Sequence, residues 1–226
     1  MSVTTIVFDA YGTLFDVAGA ARLAAAEKDG AALAQVWPRL AEDWRRKQLE
    51  YTWQRTMTGW HAPFDQVTAD ALDWAMEAQG IRDATLRARL LALYDELPAF
   101  AEVPSVLSNL KGAGYRLAIL SNGTPAMLAA ATEAAGIADR FEQVLSVEST
   151  RLYKPAWQVY DLVAQAMAVA PQRVMFVSSN GWDIAGAGWF GFRTAWVNRA
   201  GAPVDRLPHR PVHEIASLND LPKCLA

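Results

Sequence analysis

The sequence predicts an α/β protein with a doubly wound parallel sheet, a Rossmann-like fold, because short apolar runs alternate with helical stretches. The apolar runs end in small or polar residues, as buried strands commonly do. They span residues 5–8, 117–120, 174–177 and 194–197. Alanine-rich helical stretches, such as 125–135 and 156–168, lie between them, and this alternation is typical of a parallel sheet with helices on both faces.

The segment from 17 to 97 interrupts the alternation. It contains long helical patterns rich in Ala, Leu, Arg and Trp, and it has no clear strand. A chain of 226 residues has room for a core and an inserted subdomain. We therefore expect residues 1–16 and 98–226 to form the α/β core domain, and residues 17–97 to form a helical cap inserted after the first strand.

The composition excludes several classes of protein. With 52% hydrophobic and 20% charged residues, a globular chain is expected rather than a disordered one. The net charge is -3 and no Lys/Arg run extends beyond 45–47, so nucleic acid is not an expected partner. The single cysteine, Cys224, cannot form an internal disulfide, and we find no signal peptide or membrane-length apolar stretch. We expect a cytoplasmic protein that has no membrane association.

Polar clusters follow three of the four apolar runs. They occupy residues 9–13, 121–123 and 178–183. Open α/β sheets bind their ligands outside the carboxyl ends of the strands, so we expect the three clusters to meet at one site.

Asp9 is the candidate nucleophile. A single Asp after a strand is usually a turn or helix-cap residue. However, Gly12 and Thr13 follow it as in a tight turn, whose exposed N–H groups can hold an anion or keep a carboxylate ionised. An ionised and fixed carboxylate is a usable nucleophile. Thr13 is then either a donor that orients Asp9 or an ordinary cap residue.

Two further features have both a structural and a functional interpretation. The segment with Ser121 and Asn122 is either a routine helix N-cap or a seat for a substrate carboxylate or halide. Lys154 precedes Pro155 near a predicted helix start, and most lysines are solvated surface groups. Placed beside Asp9, Lys154 would instead hold the carboxylate charged and contact an anionic substrate.

Four segments together resemble the haloacid dehalogenase superfamily, and they span nearly the whole chain. They are residues 8–16, 120–123, 153–155 and 176–183. Residues 44–53, Trp-Arg-Arg-Lys-Gln-Leu-Glu-Tyr-Thr-Trp, resemble the corresponding cap segment of its L-2-haloacid dehalogenases. The resemblance implies a haloacid dehalogenase type of fold, a small 2-haloacid substrate, halide as a product, no cofactor, and a homodimer.

The resemblance also implies a mechanism. Asp9 attacks C2 of an (S)-2-haloacid in line and forms an ester on its own side chain, which water hydrolyses to release the (R)-2-hydroxy acid. Arg45, Asn122 and the edge of the Trp182 ring form a cradle for the departing halide, where negative charge grows. Ser121 and neighbouring N–H groups hold the substrate carboxylate.

Supporting residues complete the implied site. Lys154 pairs with Asp9 and the substrate, while an apolar wall around the alkyl group excludes bulk water. The implied catalytic residues are Asp9, Thr13, Arg45, Ser121, Asn122, Lys154, Tyr160, Ser178, Asn180 and Asp183. The implied substrate-binding residues are Tyr11, Arg45, Leu49, Phe64, Ser121, Asn122 and Trp182. Taken alone, several of these have plainer interpretations as a solvated helix face, a helix cap or core packing.

Two other functions remain as alternatives. The first is a phosphatase of the same superfamily, in which an Asp two positions after the nucleophile is the general acid and a later Asp binds magnesium. Tyr11 and Ser179 stand at those positions here, so we expect no metal. The second is a non-catalytic module that binds a small acid or a protein, although a pure binder gains little from a carboxylate that faces an anion.

The cap departs from the subgroup in one respect. The stretch between Asp16 and Trp44 is longer than expected, which makes Arg39 a minor alternative to Arg45 as the halide-side arginine. The three histidines match no part of the resemblance and are assigned no catalytic role. They are His61, His209 and His213.

Overall fold

The computed structural model describes residues 2–27 and 33–225. Its core is a six-stranded sheet in the order β3-β2-β1-β4-β5-β6, in which every pair of neighbouring strands is parallel. The strands are β1 Thr5–Phe8, β2 Arg116–Ser121, β3 Gln143–Ser146, β4 Val174–Ser178, β5 Arg193–Val197 and β6 His213–Ile215. The predicted fold class is confirmed, and all four predicted apolar runs are strands.

Two strands at the sheet edges, β3 and β6, were not predicted from the sequence. An edge strand is covered less completely than a central strand, so its apolar run is interrupted. Gln143 and Val144 of β3 are exposed, whereas every residue of β1 and β4 is buried.

Eight α-helices are present in the described residues. They are α1 Gly19–Ala26, α2 Trp37–Thr58, α3 Phe64–Ala78, α4 Ala84–Asp95, α5 Val103–Gly112, α6 Pro125–Ala134, α7 Trp157–Met167 and α8 Gly181–Phe190. Helices α1 to α5 lie between β1 and β2, so a helical region is inserted after the first strand, as expected. The exact domain boundaries stay a prediction, and residues 28–32 of the predicted cap lie outside the described residues. In the described ranges, no helix combines the length and the apolar character needed to cross a membrane.

Helix α2 presents its buried face through a regular spacing. Leu40, Trp44, Gln48 and Thr52 are buried and lie four residues apart, so they occupy one side of the helix. This side packs on α3, where the indole nitrogen of Trp44 donates to the carbonyl oxygen of Thr68 at 2.8 Å. Most charged residues of α2 lie outside this side, but Asp43 is buried and pairs with Arg39 and Arg46.

The chain leaves and re-enters the core at one place. We call residues 14–16 the outgoing linker and residues 98–102 the returning linker. The N–H of Asp16 donates to the carbonyl of Pro98, and the N–H of Phe100 donates to the carbonyl of Leu14, both at 2.9 Å. The two linkers therefore lie side by side, directly after the turn that follows Asp9.

A second set of contacts joins the helices α2 and α3 to the core. The N–H of Tyr153 donates to the hydroxyl of Thr56 at 3.0 Å, and Tyr153 donates its own hydroxyl to the carbonyl of Ala62 at 2.5 Å. His61 contacts Glu148 at 3.2 Å. These contacts fix the loop before Lys154 against the inserted helices.

Candidate active site

The three polar clusters that follow β1, β2 and β4 meet at the carboxyl edge of the sheet, as expected. β1 lies between β2 and β4, with Phe8 opposite both Ile119 and Val177. The N–H of Asp9 still donates to the carbonyl of Val177, at 2.9 Å. Asp9 is thus the first residue after β1, the strand that lies between β2 and β4.

Asp9 is only 5% exposed, and its carboxylate is surrounded by donors. Its Oδ1 accepts from Lys154 Nζ at 3.0 Å. Its Oδ2 accepts from the Thr13 hydroxyl at 3.0 Å, from Asn180 Nδ2 at 2.9 Å and from the Ser178 hydroxyl at 3.4 Å. The two oxygens therefore have different environments, and the carboxylate is held in one orientation.

Lys154 is buried between two carboxylates. Its ammonium lies 3.0 Å from Asp9 and 2.9 Å from Asp183, with the Phe176 ring 5.0 Å away. Burial opposes the charged form of the lysine, but the charges of Asp183 and Asp9 outweigh it and raise the pKa of Lys154. An ammonium paired twice in this way stays charged at neutral pH.

Asp183 is the second carboxylate of this group and is fully buried. Burial raises the pKa of Asp183 to about 6, and the charge of Asp9 acts in the same direction, while the Lys154 ammonium opposes the shift. The hydroxyl of Tyr160 donates to Asp183 Oδ1 at 2.7 Å. Asp183 is therefore ionised at neutral pH, but its pKa is close enough to neutrality that a small drop in pH protonates part of it.

The turn after Asp9 corrects one expectation. The N–H groups of Thr13, Leu14 and Phe15 all donate to the carbonyl of Ala10, at 3.2, 2.8 and 3.1 Å. They do not face an anion, because the turn closes on itself, and side chains hold Asp9 instead. We call residues 10–15 the nucleophile turn. Gly12 has a φ of +88°, and a Cβ there would lie 3.1 Å from the Ser179 hydroxyl, so the turn needs glycine at this position.

The cluster after β2 is not a routine N-cap. Thr124, not Ser121 or Asn122, caps α6, since its hydroxyl accepts from the N–H of Met127 at 3.3 Å. Ser121 is buried and accepts from the N–H of Gly123 at 3.2 Å, and Asn122 Oδ1 accepts from the backbone N–H of Lys154 at 3.1 Å. Asn122 thus connects the second strand end to the lysine.

Arg45 reaches the nucleophile turn from α2. Its Nη2 donates to the carbonyl of Tyr11 at 3.3 Å, and its Nη1 donates to Gln48 Oε1 at 2.7 Å. Arg39 instead pairs with Asp43 at 2.9 Å, and its side chain is 64% exposed. The structure therefore removes Arg39 as an alternative to Arg45, because its charge faces solvent.

A buried polar network behind Arg45 was missed by the sequence analysis. Gln48 Nε2 donates to the Thr68 hydroxyl at 2.8 Å and to the Tyr94 hydroxyl at 3.0 Å. The only signal in the sequence was a glutamine at a buried helix position, and such groups need partners. Gln48 fixes the rotamer of Arg45 from one side.

Three aromatic residues that were predicted to contact the substrate pack against other rings. Tyr11 stacks on Tyr94 with ring centroids 5.5 Å apart, and Phe64 lies 5.7 Å from Tyr11. Trp182 is half-buried and meets Trp53 edge-on at 5.6 Å. Leu49, also half-buried, lies on α2 next to Gln48. The predicted site residues are thus spread over the sheet edge and the helices above it.

The fold and the site together define a class of protein, a capped α/β enzyme with a buried carboxylate–ammonium group at the carboxyl edge of its sheet. A sequence model of the haloacid dehalogenase-like hydrolases matches residues 3–191. The chain belongs to this family and, within it, to the L-2-haloacid dehalogenase group, so the resemblance found in the sequence is confirmed.

Three relatives illustrate the similarity. The chain is 42% identical over 224 residues to (S)-2-haloacid dehalogenase 1 of Pseudomonas sp. (strain CBS-3), covering 99% of this chain and 96% of the relative. A solved L-2-haloacid dehalogenase matches with a TM-score of 0.93 and 40% identity, covering 100% and 99% of the two chains. The L-2-haloacid dehalogenase from Xanthobacter autotrophicus, solved with chloropropionic acid covalently bound, matches with a TM-score of 0.86 and 34% identity. The match covers 98% of this chain and 97% of that chain.

Proposed function

We propose that the protein is an (S)-2-haloacid dehalogenase, which converts short-chain (S)-2-haloacids to (R)-2-hydroxy acids and halide. The observation that carries the proposal is the environment of Asp9, a buried carboxylate with three donors on Oδ2 and the Lys154 ammonium on Oδ1. This arrangement suits a nucleophile that forms and then loses an ester. The relatives named as (S)-2-haloacid dehalogenases support the same activity.

The first step forms the ester. Oδ2 accepts three hydrogen bonds, whereas Oδ1 accepts one from Lys154 and keeps a lone pair for attack. Oδ1 of Asp9 bonds to C2 of the haloacid as the carbon–halogen bond breaks, and the halide leaves with the bonding electron pair. Arg45, Asn122 and the Trp182 ring edge stabilise the growing negative charge, while Ser121 holds the substrate carboxylate.

The second step hydrolyses the ester. Water adds to the carboxyl carbon of Asp9 as Asp183 accepts one of its protons. The bond from that carbon to Oδ1 then breaks with its electron pair going to Oδ1, and the protonated Asp183 returns the proton to Oδ1, which releases the 2-hydroxy acid. The negative charge develops on Oδ2, where Thr13, Ser178 and Asn180 already donate. The same three donors that orient the nucleophile therefore act as an oxyanion hole.

The test of the proposal is halide release from a panel of fluoro-, chloro- and bromoacids, offered as separate enantiomers. We expect release from (S)-2-chloropropionate and from haloacetates, with inversion at C2. In a single turnover in heavy-oxygen water, the label is expected first in Asp9 and not in the product. If no member of the panel yields halide, the dehalogenase assignment is wrong. If the heavy-oxygen label is found directly in the hydroxy acid, the ester intermediate is excluded.

Three further predictions from the sequence belong to this proposal. The protein is a homodimer, it is located in the cytoplasm, and its cap comprises residues 17–97. Light scattering measures the oligomeric state, and fractionation of the source cells measures the location. Limited proteolysis at the two linkers tests the bounds of the cap.

Removal of divalent cations is expected to leave halide release unchanged. Tyr11 and Ser179 occupy the positions where a phosphatase of this superfamily has aspartates, and the Lys154 ammonium lies between the two nearest carboxylates. Within residues 2–27 and 33–225, no group of three or more His, Cys, Asp or Glu side chains could hold a metal ion. The measurement compares rates with and without a chelator. Loss of halide release that magnesium restores would contradict the expected absence of a metal, and magnesium-dependent release of phosphate from a phosphate ester would favour the phosphatase alternative.

Turnover is expected to fall at acid pH, where the carboxyl of Asp183 becomes protonated. With Asp9 charged, the pKa of Asp183 is raised to about 6, partly by that charge. The ester removes the charge of Asp9, so in the ester Asp183 becomes protonated only below this pH, where it can no longer accept a proton from water. Below the pKa that Asp183 has in the ester, we expect hydrolysis to slow about tenfold per pH unit and the ester to accumulate. Mass spectrometry of the quenched enzyme measures the ester, and Asp183→Asn is the control without this titration. An unchanged rate down to about pH 4.5 would contradict the role of Asp183.

A further inference from the structure

Arg199 lies just past the carboxyl end of β5 and contacts the nucleophile turn from the core side. Its Nη1 donates to the carbonyl of Gly12 at 3.3 Å, and its Nη2 donates to the carbonyl of Thr13 at 3.1 Å. The hydroxyl of the same Thr13 donates to Asp9. Only Thr13 therefore separates the guanidinium of Arg199 from the carboxylate of the nucleophile.

The carbonyl groups of the nucleophile turn face arginines on two sides. Arg45 binds the carbonyl of Tyr11, while Arg199 binds the next two, those of Gly12 and Thr13. Hydrogen bonds from a charged donor are stronger and more directional than those between neutral groups. Three successive carbonyl groups, beginning two residues after Asp9, are thus oriented by positive charge, from the cap on one side and from the core on the other.

Arg199 also contacts the returning linker. Its Nη2 lies 2.9 Å from Glu102 Oε1, and the guanidinium stacks over the Phe100 ring, 3.9 Å from its centroid. The side chains of Arg199 and Glu102 are 23% and 15% exposed. Burial disfavours the Glu102 carboxylate, but its hydrogen bonds, including that from Arg199, outweigh burial and hold the pKa of Glu102 below its usual value. The pair is ionised at neutral pH.

We propose that Arg199 is a positioning residue for the dehalogenation reaction, which holds the nucleophile turn and the returning linker in one fixed arrangement. This inference rests on the proposed function, because it concerns the rate at which Asp9 reacts with C2. Contact with two carbonyls, a carboxylate and a ring needs the planar fork of arginine, which lysine lacks. Displacing a nucleophile by about 1 Å can lower its reaction rate about 100-fold. The contacts of Arg199 with the nucleophile turn are therefore expected to affect the rate at which Asp9 attacks.

Arg199→Met tests the inference through kinetics. The variant keeps an apolar stem over Phe100 but has no donors for the turn. We expect kcat to fall at least about tenfold while KM changes less than about threefold, because Ser121 and Asn122 are untouched. Arg199→Lys is expected to give an intermediate kcat. Rates are normalised to the folded fraction measured by urea unfolding, so that only folded enzyme is counted.

Arg87→Met is the matched control. It removes an arginine that pairs with Asp73 across α3 and α4, with both side chains well exposed. We expect this variant to keep the wild-type kcat, because surface ion pairs contribute little and this pair lies outside the site. The comparison separates the loss of any arginine from the loss of the one that contacts the turn.

Hydrogen exchange provides a readout that does not depend on activity. The N–H groups of Asp16 and Phe100 bond the two linkers to each other. In Arg199→Met, we expect these amides to exchange at least about tenfold faster, while those of β2 keep their protection. Such local loosening is not expected in Arg87→Met.

Two results would overturn the inference. One is a normalised kcat in Arg199→Met equal to that of the wild type, and the other is unchanged exchange of the linker amides. If the wild type releases no halide from any haloacid, the proposed function fails instead. The exchange measurement then decides by itself whether Arg199 holds the nucleophile turn.

Discussion

Asp9→Asn is expected to abolish steady-state halide release, with a loss of at least about 10⁴-fold. The amide has nearly the same size as the carboxylate, but it has no charge and is a poor nucleophile towards carbon. The neighbouring donors remain in place, and Lys154 keeps its contact with Asp183. The measurement is halide release over many turnovers, with mass spectrometry of the enzyme to exclude deamidation back to aspartate.

Substrate binding provides the control for this variant. Arg45, Ser121 and Asn122 do not depend on the charge of Asp9, so Asp9→Asn should still bind (S)-2-chloropropionate. Residual turnover above about 1%, with the introduced amide still intact, would mean that another group attacks the carbon. If that group is water, the label from heavy-oxygen water would enter the product directly, and if it is a second carboxylate, the label would enter that side chain first.

Lys154→Met is expected to damage both activity and stability. The ammonium is 1% exposed and lies between Asp9 and Asp183, so its removal leaves two buried carboxylates without a counter-charge. Breaking a buried ion pair in this way costs about 3–5 kcal/mol of unfolding free energy. We expect at least about a 10³-fold loss of kcat as well, because the reacting carboxylate loses the partner that fixes Oδ1. Urea unfolding and halide release measure the two effects.

The pH dependence of this variant follows from the raised pKa of Asp183. Without the ammonium, which opposes that shift, the folded protein binds a proton at Asp183 that the unfolded chain does not bind at the same pH. The unfolding free energy of Lys154→Met should therefore increase as the pH falls from about 8 towards 5. The wild type is expected to change less over this range.

The double variant Lys154→Met with Asp183→Asn is the matched control. It removes one of the two uncompensated charges, so it should recover part of the lost stability at neutral pH without recovering activity. A double variant as unstable as Lys154→Met would show that packing, and not charge, explains the loss. Wild-type turnover by either variant would contradict the role of Lys154.

The core of the fold could be predicted from the sequence because its central strands are buried on both faces. Such strands appear as unbroken apolar runs, as in β1 and β4. The edge strands could not be predicted in this way, since exposed residues such as Gln143 interrupt the pattern of β3. Periodicity reports burial, and it therefore loses information where burial is incomplete.

The candidate site could be predicted where its residues lie at strand ends or within segments that resemble a family. Asp9, Lys154 and Asp183 could be predicted in this way. The Gln48 network and Arg199 were missed because their partners are distant in sequence: Gln48 and Tyr94 are 46 positions apart, and Arg199 and Gly12 are 187 apart. The run before Asn198 was recognised as a strand, and applying the strand-end rule to it as well would have drawn attention to Arg199.

The side-by-side linkers have a mechanical consequence for the inserted helices. The hydrogen bonds between Asp16 and Pro98 and between Phe100 and Leu14 join both covalent attachments of the cap in one narrow strip. If the cap rotates, this strip is the fulcrum of the rotation. Residues of the cap that lie farther from the strip are therefore displaced farther. The nucleophile turn adjoins the fulcrum, so Asp9 is shifted least when the distant rim of the cap moves to admit an acid or release an ion.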